Sequence, residues 1–206
     1  MKEKEIINIA NENNGYLYSD IMKKNGIEST YVSRLVKKGL LTKVASGIYI
    51  TSMGIEDIFF INSVRFSRII YSGDTAVFLN GLSNKQFPDY EAMVPYGTNI
   101  PVVDGFVIRQ SRKKDFNFGV TEVETPFGNK VKCYDKERCI CDLFIRPDHY
   151  DYEDRIYAIN EYKRYYLNYA KLYSYAKHLK VYDNVKIVFD SIKWDWINIE
   201  YKYYAN

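Results

Sequence analysis

The chain has 206 residues, 47% hydrophobic and 27% charged, with only 11 Gly and 5 Pro. It can bury a sizeable core, which excludes disordered, collagen-like and linker-like classes. The net charge of +3 is uneven: residues 1–50 hold 8 Lys/Arg against 5 Asp/Glu, and residues 155–180 hold 6 against 1.

In chain order, Ile6, Ile7, Ile9 and Ala10 predict an amphipathic helix over residues 3–13, ended by Asn13-Asn14-Gly15. Tyr16-Leu17 reads as extended. Ser19 is expected to cap a second helix from Asp20 to Asn25, and Ser29 a third from Thr30 to Lys38, which Gly39 ends. Leu41–Val44 and Ile48–Ile50 predict two short strands around Ala45-Ser46-Gly47. Three helices and a hairpin in 50 residues, with a Gly26 turn between the last two helices, is the layout of a winged helix-turn-helix. Residues 1–51 are expected to form that domain, Thr51–Gly54 a linker, and residues 55–206 a mixed α/β domain with a helical C-terminal third. The fold class expected is α+β.

In the second part, helices are predicted over Glu56–Ser67 and Ser72–Asn80, with a short strand at Arg68–Tyr71. Strands are predicted over Glu91–Val94, Phe106–Gln110, Val120–Thr125 and Lys130–Tyr134, the last two as a hairpin around Pro126-Phe127-Gly128-Asn129. Asp135–Ile145, Tyr152–Tyr166, Leu172–Leu179 and Val185–Ile192 read as helices.

On a helical wheel the third helix divides. Val32, Leu35 and Val36 share one face, and Thr30, Arg34 and Lys37 lie opposite, flanked by Tyr31, Ser33 and Lys38. Such a helix fits the major groove of double-stranded DNA. Arg34 suits a bidentate bond to guanine, and Ser29, Thr30 and Ser33 suit base edges or phosphates. Lys37, Lys38 and Lys43 suit phosphate, as do Ser46 at the hairpin tip and Ser19 at the second helix. The competing reading is a winged helix that binds protein, whose outer face would be acidic or apolar; here no acid follows Glu28 in the third helix.

Other chemistries find little footing. Cys139 and Cys141 lie about 200° apart on a helix, so with Cys133 and His149 they do not converge on one zinc ion. A metal nuclease would need carboxylates on adjacent strands, but Pro88-Asp89 and Glu122-Val123-Glu124 lack the following acid-x-Lys pattern. No metal, cofactor or enzymatic activity is expected; the alternative kept open is a nuclease-like enzyme targeted by a winged helix. An odd count of 3 Cys and a start without an apolar stretch point to the reducing cytoplasm. The longest apolar runs, such as Ile58–Ile61, are too short to span a membrane. Residues 150–206 carry 13 Tyr, which either stack on bases or pack between helices. Arg155, Lys163, Arg164 and Lys171 among them are candidate auxiliary DNA contacts.

The run from Gly15 to Ile50 resembles the N-terminal domain of AbiEi-type antitoxins, through Gly15, Gly26-Ile27, Leu35-Val36-Lys37-Lys38-Gly39 and Gly47-Ile48-Tyr49. Downstream, the runs from Ser72 to Ser83 and from Val131 to Leu143 are similar to a helix and a strand-to-helix segment of that family, with Cys139 standing where Thr is usual. The resemblance implies a bacterial type IV toxin–antitoxin system that protects against phage by abortive infection. It implies an antitoxin that represses its own operon and opposes a nucleotidyltransferase-like AbiEii toxin without a stable complex. Arg138 and Asp142 are the candidate antitoxin-domain positions, or else a structural i, i+4 ion pair. Because one winged helix reads few base pairs, promoter binding is expected on paired inverted half-sites, by a dimer in solution or by assembly on DNA.

Overall fold

The computed structural model describes residues 3–85, 87–100 and 102–191. The chain is mixed α and β, with helices and two sheets, and it divides into two compact units. The first takes Met1–Ile70 and Glu122–Lys132, the second Tyr71–Thr121 and Cys133–Asn206. The first unit is therefore larger than residues 1–51, and it recruits a segment from far along the chain.

The first unit opens with α1 (Glu3–Asn11), β1 (Tyr16–Tyr18), α2 (Ser19–Lys24), α3 (Ser29–Lys37), β2 (Thr42–Ala45) and β3 (Ile48–Ile50). The strands form one antiparallel sheet in the order β1-β3-β2, with Leu17 opposite Tyr49 and Lys43 opposite Tyr49 on the other side. Side chains alternate across this sheet. Leu17 and Tyr49 join Ile6, Ala10, Ile21, Val32 and Leu35 in a core with the three helices. Tyr16, Ile48 and Ile50 face the other way, where Phe60, Ile61 and Val64 of α4 (Ile58–Arg65) cover them.

Three local expectations are corrected here. Ser19 and Ser29 do not cap: the N-cap positions are Tyr18 and Glu28, neither with a side-chain cap bond, and each serine is the first helical residue. The segment Thr51–Gly54 is not a free linker. Thr51 Oγ1 donates to Asn11 Oδ1 at 2.7 Å and its N–H to the Gly15 carbonyl at 2.9 Å. Gly15, at φ +81°, passes so close to Gly54 that a Cβ there would collide with the Gly54 backbone. The helix expected from Glu56 begins instead at Ile58, because the Asp57 carboxylate caps it, accepting from the N–H groups of Phe59 and Phe60. The other Asp57 oxygen accepts from Thr125 Oγ1 at 2.6 Å and Asn129 Nδ2 at 2.9 Å. Asn14 Nδ2 donates to the Gly128 carbonyl and to Asn129 Oδ1. These bonds explain why Glu122–Lys132 belongs to the first unit.

The remaining strands are β4 (Ile70–Tyr71), β5 (Tyr90–Pro95), β6 (Phe106–Ser111), β7 (Val120–Glu124) and β8 (Lys130–Tyr134), in the sheet order β6-β5-β4-β8-β7. The chain passes between the two units within β7 and β8, which the turn at residues 125–129 joins. β5 and β6 run parallel from Tyr90↔Phe106 to Pro95↔Ser111, although the described residues of the crossover between them, 96–105, contain no helix. The second unit adds α5 (Gly73–Leu79), α6 (Lys113–Phe116), α7 (Lys136–Ile145), α8 (Tyr152–Tyr165) and α9 (Tyr169–His178), and residues 182–191 are also helical. The short α6 was not anticipated, and α9 starts earlier than Leu172 because Asn168 caps it. Ile192, the expected end of the last helix, lies outside the described residues. No helix among them is long and apolar enough to cross a membrane.

Candidate nucleic-acid interface

Helix α3 buries Val32 and Leu35 in the helical core and half-buries Val36 and Tyr31 against it. That packing turns Ser29, Thr30, Ser33, Arg34 and Lys37 outward, and all five are exposed. The guanidinium carbon of Arg34 lies 5.7 Å from the centre of the Tyr31 ring, which steadies a long side chain without neutralising it. Arg34, Lys37 and Lys43 have no acidic partner among the described residues. Lys38 differs, because its ammonium binds both oxygens of Glu3, at 2.7 and 2.9 Å. The pair is exposed and weak, so a phosphate can displace it. Two hydroxyls donate locally: Ser33 to the Ser29 carbonyl at 3.0 Å and Thr30 to Glu28 at 3.3 Å. Their oxygens still accept.

Ser46 sits in the two-residue turn between β2 and β3, with Gly47 at φ +71°. This turn and Ser19 line a common concavity of about 220 Å³. Asp20 and Arg65 line it too, and neither was singled out from the sequence. The signal for Arg65 was present: it follows the apolar run of α4, at the helix end where a cation is favoured.

In the second unit, Arg138 and Asp142 are brought together but withdrawn from solvent. Arg138 Nε donates to Asp142 Oδ1 at 3.0 Å, and a terminal nitrogen donates to the carbonyls of Asp115 and Phe118, both at 2.9 Å. The guanidinium also stacks on Tyr134. Both side chains are about 7% exposed. Burial pushes the Asp142 carboxyl above the usual carboxylate range, although Arg138 pulls it down.

The four auxiliary candidates do not form one basic face. Lys171 pairs with Asp135 at 3.1 Å and Glu137 at 2.7 Å. Lys163 reaches the Val188 carbonyl and lies over the Phe189 ring. Arg155 Nε is buried without a hydrogen-bond partner among the described residues. Arg164 is exposed, about 180° around α8 from Arg155. The tyrosines split similarly: Tyr162 is fully buried, while Tyr152, Tyr157, Tyr165 and Tyr166 are exposed.

A second buried carboxylate holds this unit together. Glu91 accepts from Arg109 at 2.7 Å, from the Asp74 N–H at 3.3 Å, and bonds His149 Nε2 at 3.0 Å. Burial would raise its carboxyl, but the bonds from Arg109 and His149 outweigh that and hold it below the usual range. Gly73, at φ +58°, leaves the room Glu91 needs, since a Cβ there would overlap the carboxylate. Cys133, Cys139 and Cys141 are buried free thiols. No group of three or more His, Cys, Asp or Glu side chains that could hold a metal occurs among the described residues.

The chain matches no family model and no curated protein. Among solved structures it is similar to that of the RV2827C protein from Mycobacterium tuberculosis, with a TM-score of 0.55 and 10% sequence identity over 84% of this chain and 70% of that one. At this identity the likeness is one of fold.

Proposed function

We propose that the chain is a DNA-binding autorepressor whose N-terminal part is a winged helix-turn-helix, and that it acts as an AbiEi-like type IV antitoxin in the bacterial cytoplasm, without enzymatic activity or cofactor. The observation that carries the DNA-binding half is α3: its outward face presents Arg34 and Lys37 with no acidic partner among the described residues, beside Thr30 and Ser33. The element order, with β3 between β1 and β2, supports the winged reading. In it, α3 enters the major groove and the β2–β3 turn contacts the backbone. Two copies on inverted half-sites of the operon's promoter supply the selectivity that one lacks. The antitoxin half rests on the sequence resemblance, and its partner is a nucleotidyltransferase-like toxin opposed without a stable complex.

The test is a gel-shift titration on the promoter upstream of the chain's own coding sequence, beside a scrambled duplex, at two salt concentrations. Tight, selective and salt-sensitive binding is expected, with Lys37→Ala flattening the salt dependence by about one unit of slope. Equal weak binding to both duplexes would overturn the repressor. Co-expression with the toxin encoded beside it tests the other half, growth rescue being the expected result.

A further inference from the structure

We propose that Arg65 is a second DNA-backbone contact, so that the phosphate-binding surface runs past the β2–β3 hairpin into α4. The inference rests on the DNA-binding reading above.

The sequence places Arg65 there by packing. Tyr16, Ile48 and Ile50 cover one face of the three-stranded sheet, and Phe60, Ile61 and Val64 of α4 close over them. Phe60 meets Tyr16 and Tyr18 edge-on, at 4.7 and 5.8 Å between ring centres. With α4 anchored this way, the residue after Val64 emerges beside the hairpin turn. Arg65, Ser19, Ser46 and Gly47 therefore line one concavity of about 220 Å³. It is tightly drawn: a Cβ on Gly47 would lie 3.3 Å from Ser19 Oγ.

The donors there suit a phosphodiester. Arg65 is exposed and has no carboxylate partner among the described residues. It makes a long 3.4 Å bond to Asn62 Oδ1 and stacks over Phe66 at 5.0 Å. These contacts orient the guanidinium and leave its charge intact. A planar fork of N–H donors flanked by two neutral hydroxyls matches phosphate oxygens. Asp20 is the opposing charge on the same concavity. Its place in the first turn of α2 favours the helix, and it sits where it would repel a phosphate. That opposition provides a test with two signs.

The competing role for Arg65 is that of a cation at the C-terminal end of α4, which would alter stability and leave DNA binding unchanged. Fluorescence anisotropy of the full chain separates the two, using the upstream promoter duplex and a scrambled duplex over a salt series. Arg65→Ala is expected to weaken binding about fivefold on both duplexes, since phosphate contacts carry no sequence information, and to lower the log–log salt slope by about 0.9. Arg65→Lys should restore most of the affinity. Asp20→Asn should tighten binding about threefold on both duplexes, the scale of one exposed charge interaction. Should Arg65→Ala fail to fold, Asp20→Asn still decides, because it removes a charge and no packed atom. If Arg65→Ala and Asp20→Asn both bind as the parent does while Arg34→Ala weakens binding, Arg65 is a helix-end cation and the proposal fails alone. If Arg34→Ala is silent as well, the DNA-binding reading falls and takes this proposal with it.

Discussion

Helices α3 and α7 are nearly equal in length, 9 and 10 residues, and each carries an arginine, Arg34 in the last turn of α3 and Arg138 in the first turn of α7. Their surroundings make them opposites. Around Arg138 the protein supplies Asp142, two backbone carbonyls and the Tyr134 ring, and the side chain is 7% exposed. Around Arg34 it supplies the ring of one tyrosine, and the side chain is exposed. A guanidinium whose donors are satisfied internally ties loops to a helix; one whose donors are left open is available to an outside acceptor. Charge on a helix is thus uninformative until its partners are known.

The contrast can be broken most forcefully at Arg138. Arg138→Ala strands a buried carboxylate, and the second unit should lose about 3–5 kcal/mol, seen as a large fall in the thermal melting midpoint. A melt close to the parent's would show that the pair is not a strut. Arg34→Ala should leave the melt alone and cost about 1–3 kcal/mol of discrimination between promoter and scrambled duplex, read by anisotropy. Glu91→Gln probes a buried charge in a different place. Its carboxyl is held below its ordinary value of 4.5, so the ionised form stabilises the fold above that pH. That stabilisation is lost as pH falls through the lowered value. The variant should lose about 1–2 kcal/mol at pH 7 and show a flatter decline of melting midpoint below about pH 4.5. The smallest effect belongs to Lys38→Ala, which removes the exposed pair with Glu3. Its stability should change by less than about 0.5 kcal/mol.

How much of this was legible in the sequence depended on the range of the contacts. The division of α3 into Val32 and Leu35 against Arg34 and Lys37 follows from helical periodicity alone, and the structure keeps it. The strands around Gly47 were readable for the same reason. Capping was misread because Ser19 and Ser29 are good caps by type, yet the chain enters each helix one residue earlier. The roles of Lys171 and Lys163 were not legible, since Asp135, Glu137 and Val188 lie on other elements. Arg65 was overlooked because its neighbour, the hairpin turn, is about 20 residues away in the chain. The short passage from β5 to a parallel β6, without a helix among its described residues, runs against the usual need for a long crossover. Nothing local marks it.

The bonds from Asp57 to Thr125 and Asn129 carry a consequence for biosynthesis. A ribosome delivers residues in order, so Asp57 emerges with its helix long before the two side chains that satisfy its second oxygen. Until then that carboxylate must stay hydrated, and the segment around it must stay open to water. The N-terminal unit therefore reaches its final form only after residue 132 has cleared the exit tunnel, 62 residues behind Ile70.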